Sequence, residues 1–148
     1  MWDLRERIQR VAESDSHVII LGPSGSGKEL VAQAIHGECH TFDTEMVSRN
    51  AATIPEGLVD AELFGNIRNY PNPGMPERKG LIGAADGSTL FLDEIGELPE
   101  RLQVHFLRLL DNGEYQRLGD AKVRCARFRL IGATNRPTTA LKEDMLAR

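Results

Sequence analysis

Cysteine is nearly absent from the 148-residue sequence, which has only Cys39 and Cys125. Two cysteines so far apart are too few for a disulfide framework and suit a reducing compartment. No apolar run approaches the roughly 20 residues that a membrane-spanning helix needs. The charged start, MWDLRERIQR, lacks the apolar stretch of a secretion signal. A cytoplasmic chain with no membrane partner is expected. Blocks of like charge are missing too, and 22 acids against 18 bases leave a formal charge of −4. A basic nucleic-acid surface on this chain is therefore not expected. Repeats and low-complexity tracts are also lacking. What remains, 41% apolar and 27% charged over 148 residues, has the length and composition of one ordinary globular domain with its own core.

Helix and strand signals alternate along the chain. Asp3 can cap a helix over 4–13, where Leu4, Ile8 and Val11 recur at i, i+4 and i+7. HVIIL, a glycine loop and KELVAQAIH read as strand, loop and helix. EMVSR is a second strand that ends at Asn50, and a helix is expected from Pro55 through Phe64. Residues 66–80, NIRNYPNPGMPERKG, hold three prolines and three asparagines and read as a long loop. Loops of that length inside a domain usually serve function. GLIGAAD is a helical turn and STLFLDE a strand, and Pro99 opens a helix that Gly113 stops. EYQRLG and AKVRCA flank a Gly119-Asp120 turn as a hairpin, RFRLIGATN is a further strand, and a last helix follows Pro137. The alternation predicts an α/β fold with a mostly parallel sheet flanked by helices and a site at the carboxyl ends of the strands.

The chemistry-bearing residues obey that rule. Gly22, Pro23, Ser24, Gly25, Ser26, Gly27, Lys28 and Glu29 follow the first apolar strand. The glycines let backbone N–H groups wrap a phosphate, the next helix presents its positive end, and Lys28 reaches the outer phosphates. The usual Ser or Thr after the lysine is replaced by Glu29. Asp93 and Glu94 end a buried strand, where acids are costly unless they bind water, a metal or a partner. In nucleotide hydrolases the first acid organises magnesium and the second takes a proton from the attacking water; the alternative is that they cap the turn before Pro99. If Asp93 holds magnesium through its water shell, a hydroxyl after Lys28 is dispensable. His36, Cys39 and His40 are ligand types, but nothing completes a zinc site, and polar helix termination accounts for them.

GPSGSGKELVAQAIH, NAATIPEGLVDAELFG, ADGSTLFLDEIGELP, LLDNGEYQRLG and IGATNRP together resemble the AAA+ domain of NtrC-like, bacterial enhancer-binding activators of sigma-54 RNA polymerase. The likeness covers nearly the whole chain and includes the Glu after the lysine. It implies a P-loop NTPase core that binds ATP and ADP with Mg2+, with Gly22 to Glu29 as Walker A and Asp93 and Glu94 ending Walker B. It also implies that Asn50 holds Glu94 at rest, that Asn135 senses the γ-phosphate, and that Arg148 is a finger acting on a neighbouring subunit. A homo-oligomeric ring, a hexamer in the full protein, and sigma-54 are the implied partners. Strand order 5-1-4-3-2 is implied, while the fifth strand, the helical lid and the DNA-binding domain of the family fall beyond residue 148. The family's GAFTGA loop motif is replaced by NYPNPG at 69–74, and Lys142 stands in the first finger position. A regulator or nucleotide sensor acting on another polymerase form or protein is the alternative, and a small-molecule phosphotransferase is a more distant one.

Overall fold

A computed structural model describes residues 2–13, 16–23, 25, 27–38 and 45–135. In chain order the elements are α1 (Trp2–Glu13), β1 (Val18–Leu21), α2 (Lys28–Glu38), β2 (Val47–Asn50), α3 (Val59–Phe64), α4 (Gly80–Ala84), β3 (Thr89–Asp93), α5 (Glu100–Asn112), β4 (Glu114–Tyr115), β5 (Arg124–Cys125) and β6 (Arg129–Thr134). Helix α1 begins at Trp2, so Asp3 lies within its first turn and not ahead of it. The helix expected from Pro55 starts as a 3-10 turn over Glu56–Leu58 before α3 proper. The expected last helix lies outside the described residues.

Among the described residues four strands form a parallel sheet in the order β1-β6-β3-β2, which agrees with the 1-4-3-2 part of the implied order. The period-2 alternation of buried strands divides the core between its two faces. Leu90 and Leu92 of β3 and Leu130 of β6 pack with Leu63, Phe64, Ile82, Leu102 and Phe106 under α3, α4 and α5. Phe91, Ile131 and Ala133 face the other way, onto Ala12 of α1 and Ala32 and Ile35 of α2. Each such large side chain, once fully buried, contributes about 1.5–3 kcal/mol. Leu90, Phe91 and Leu92 together therefore fix β3, and its acidic end, in the middle of the sheet.

Arg129 ties α1 to the sheet. Only 3% exposed, it donates from Nε to Ser16 O at 3.1 Å, from Nη1 to Ala12 O at 3.5 Å and from Nη2 to Val11 O. Carbonyls at a helix carboxyl end carry negative partial charge, which suits a buried guanidinium. α5 ends as expected at Gly113, in the left-handed region at φ 73°. The hairpin follows, with Glu114 opposite Cys125 and Tyr115 opposite Arg124.

The segment 66–79 is a closed loop with an ordered neck. Asn66 and Arg78 exchange two backbone hydrogen bonds of 3.0 Å. The Asn66 amide, in a residue 2% exposed, donates to Pro76 O and Ile67 O at 3.0 Å and to Tyr70 O at 3.4 Å. The loop leans on the hairpin, because Arg117 pairs with Glu77 and Tyr70 covers Gly119. A Cβ at Gly119 would stand 2.4 Å from the Tyr70 ring, so only glycine fits there.

Candidate nucleotide site at the carboxyl ends of the strands

Strand register brings the separated motifs together. Leu21 is level with Thr134, and Asn50 with Asp93. Gly22 N–H donates to Thr134 O at 3.2 Å, which sets the glycine loop beside Asn135, one residue further on. The four strand ends thus present Gly22, Asn135, Asp93 and Asn50 along one edge, as a parallel sheet requires.

Lys28 opens α2, and Val31 N–H donates back to Gly27 O at 3.1 Å, so the helix amino end faces the glycine loop. Gly25 and Gly27 sit at φ 79° and 81°, and a Cβ built on either would meet nothing within 4 Å. Left-handed glycines with open space beside their amides suit the close approach of a phosphate. Lys28 is only 6% exposed. Its Nζ donates to Gly22 O at 2.8 Å and lies 3.9 Å from Glu94 Oε1. A buried ammonium held by a carbonyl and a carboxylate can pass to a phosphate without first being stripped of water. Glu29 is exposed in the first turn of α2, where negative charge agrees with the helix dipole.

Glu94 is 17% exposed and occupies the left-handed region at φ 53°, ψ 45°. Its N–H donates to Asp93 Oδ1 at 2.9 Å, an arrangement that turns the chain at the end of β3 and sends the Glu94 side chain back toward Lys28. Strain of this kind in a non-glycine residue persists where the surroundings over-determine it, and it clusters at functional sites. Asn50 accepts from Ala52 N–H at 2.9 Å through Oδ1. With its oxygen engaged in this cap, the end of Asn50 suited to a carboxylate is its amide nitrogen.

The described residues therefore bring Gly22, Pro23, Gly25, Gly27, Lys28, Asp93, Glu94, Asn50 and Asn135 to one edge. Ser24, Ser26, Lys142 and Arg148 lie outside them. So do Cys39 and His40; His36 Nδ1 shares a 2.7 Å hydrogen bond with Thr89 Oγ1, a link between α2 and β3. Among the described residues no group of three His, Cys, Asp or Glu is placed to hold a metal unaided, so an ion here would rest on Asp93, water and phosphate oxygens, the manner in which magnesium is commonly held. Sequence reasoning singled out neither Asn66, one of three loop asparagines, nor Arg117 in the hairpin. No local pattern could have marked them, since their partners are 10 and 40 residues away. A cleft of about 440 Å³ lined by His17, Leu110, Cys125 and Phe128 opens at the amino ends of β1 and β6, the far end of the sheet from Lys28.

Comparison with known proteins gives the family and agrees with the fold. Among relatives, the formate hydrogenlyase transcriptional activator FhlA of Escherichia coli K12 is 42% identical over 144 residues, 97% of this chain and 21% of that protein. The nitric oxide reductase transcription regulator NorR2 of Cupriavidus necator is 45% identical over 134 residues, 90% of this chain and 26% of that protein. The crystal structure of NtrX from Brucella abortus in complex with ATP superimposes with a TM-score of 0.80 at 36% identity, covering 98% of this chain and 31% of NtrX. The chain spans about a quarter of the length of the relatives it matches. Among the described residues no helix is long and apolar enough to cross a membrane. The family model described as the Sigma-54 interaction domain matches residues 1–148, and the chain, with its P-loop NTPase fold, belongs to that family.

Proposed function

We propose that this chain is the ATP-binding and ATP-hydrolysing α/β part of a sigma-54-dependent transcriptional activator, acting in the cytoplasm. The observation that carries the reading is the buried Lys28 ammonium, at the start of a helix behind two left-handed glycines and 3.9 Å from Glu94. ATP or ADP phosphates fit the amides of Gly22 to Gly27, with Ser24 and Ser26 in the same loop, and Lys28 carries the opposing charge. Mg2+, held through water by Asp93 and flanked by Glu29 in place of the usual hydroxyl, would supply charge neutralisation at the transferring phosphate. Glu94 orients the attacking water and accepts its proton at a carboxylate oxygen. Asn50 restrains Glu94 at rest, and Asn135 senses the outer phosphate. Arg148 would act on a neighbouring subunit of a homo-oligomeric ring, a hexamer on this reading, with Lys142 as a point charge in the first finger position. The lid and the contact with DNA belong to separate domains.

The loop at 66–79 is the part that meets sigma-54. Its tip, NYPNPG, differs from GAFTGA, but the family model spans it, which favours a changed contact surface over a changed partner. The test is to load the protein, extended through its lid, with ADP and a metal-fluoride mimic of the transferring phosphate and to run it with sigma-54 on a sizing column. Co-migration that is lost on replacing residues 69–74 is expected. Intact nucleotide binding without any complex would refute the sigma-54 assignment and leave a nucleotide-binding core for another partner.

A further inference from the structure

The Glu62 carboxylate lies between the candidate nucleotide site and the loop. Glu62 of α3 has Arg49 Nη2 3.5 Å from its Oε2 and Arg78 Nη1 3.8 Å from its Oε1. Arg49 precedes Asn50 in β2 and is level with Leu92 of β3, so it travels with the strand ends that carry Asn50 and Asp93. Arg78 is the residue whose backbone closes the loop neck against Asn66, and the Asn66 amide reaches both limbs of the loop at Tyr70 O and Pro76 O. Among the described residues the Nε of Arg49 has no hydrogen bond, and the carboxylate that its guanidinium meets is that of Glu62. Because each Glu62 oxygen faces a different arginine, the carboxylate cannot follow one of them without loosening its hold on the other.

We propose that Glu62 is a positioning residue that couples the end of β2 to the neck of the loop. A displacement of Asn50 caused by nucleotide then reaches residues 66–79 through Arg49, Glu62 and Arg78. The inference rests on the nucleotide-binding reading above. All three side chains are partly exposed, and partly solvated pairs are individually weak, so the expected coupling is at the low end of the usual range, about fivefold.

Amide hydrogen exchange of the full 148-residue chain, with and without Mg-ATP, tests it. In the native sequence ATP should slow exchange both at residues 22–31 and at residues 66–79, the latter by about fivefold. Glu62→Gln should keep the protection at 22–31 while the response at 66–79 falls below about twofold. Arg49→Met and Arg78→Met should each reproduce that loss and add nothing when combined with Glu62→Gln, because all three break one link. A purely structural role for Glu62 would raise loop exchange with and without ATP alike and leave the ATP-dependent ratio intact. That result, or a native loop that ignores ATP, overturns the coupling. Missing protection at 22–31 in the native sequence overturns the nucleotide reading itself, and the coupling with it.

Discussion

The backbone of Glu94 offers a test of the site that is independent of any partner. At φ 53° and ψ 45° an L-residue carries a steric cost of about 1–2 kcal/mol, which glycine escapes. Replacing Glu94 by Ala or by Gly removes the same carboxylate and the same contact with Lys28, so the difference between the two variants isolates the backbone. At an ordinary backbone position glycine is about 0.5–1 kcal/mol worse than alanine because its unfolded chain is freer. Here relief of the left-handed strain should exceed that term and leave Glu94→Gly the more stable by about 1 kcal/mol. For a domain of this size that is a gap of about 2–4 °C in melting temperature. Urea titration and thermal melting of both variants measure it. Alanine equal to or better than glycine would refute the claim that the fold holds this residue under strain. Both variants, like Glu94→Gln, should bind nucleotide and lose at least about a hundredfold in turnover, the ordinary share of a general base.

Lys28→Ala should weaken ATP binding by roughly tenfold to a hundredfold, the worth of a charged hydrogen bond to a phosphate; calorimetric titration reads this directly, and unchanged affinity would remove Lys28 from the site. Gly119→Ala should lower stability by about 1–3 kcal/mol, since the new methyl meets the Tyr70 ring at 2.4 Å and φ is +80°. Pairing it with Tyr70→Ala should recover the part due to the clash and leave the part due to φ. Burial first, and then the charge of Arg129, hold the His17 pKa below 6.5. Nδ1 of His17 accepts from Leu130 N–H at 3.0 Å, which needs an unprotonated nitrogen. A folded-state pKa lower than the unfolded one means that the unfolded chain binds the proton first. Stability should therefore be full above about pH 6.5 and fall as pH drops from there toward the folded pKa. His17→Gln should flatten that part of the stability profile measured by urea titration, and an unchanged slope would show that His17 does not set it.

Much of the site was legible before the structure because its parts are local. The candidate phosphate loop is a run of neighbours, Gly22 to Glu29, between a strand and a helix, and Asp93 and Glu94 announce themselves as acids that end an apolar strand. Strand and helix periods were equally readable in STLFLDE and in the helix that Pro99 opens. The 3-10 start before α3 was missed because Pro55 permits several helical turns and the choice lies in how Val59 meets the core while Leu58 stays exposed. The loop itself was read correctly, but its internal hydrogen bonding was not, for a different reason. Composition marks NIRNYPNPGMPERKG as irregular, but irregular sequence does not say whether backbone groups find partners within the loop or in water.

The sequence by itself determined the order of elements, the parallel sheet and the candidate phosphate-loop and acidic residues, since each follows from spacing within a few residues. Only the tertiary structure decided that Asn50 stands level with Asp93, that Lys28 lies 3.9 Å from Glu94, that Asn66 ties the two limbs of the loop together, and that Glu62 and Arg117 hold the loop to the rest of the domain. Those facts depend on strand register and on side chains from distant parts of the chain. Register is settled by how two faces of one sheet are buried at once, which is a property of the whole fold and not of any segment.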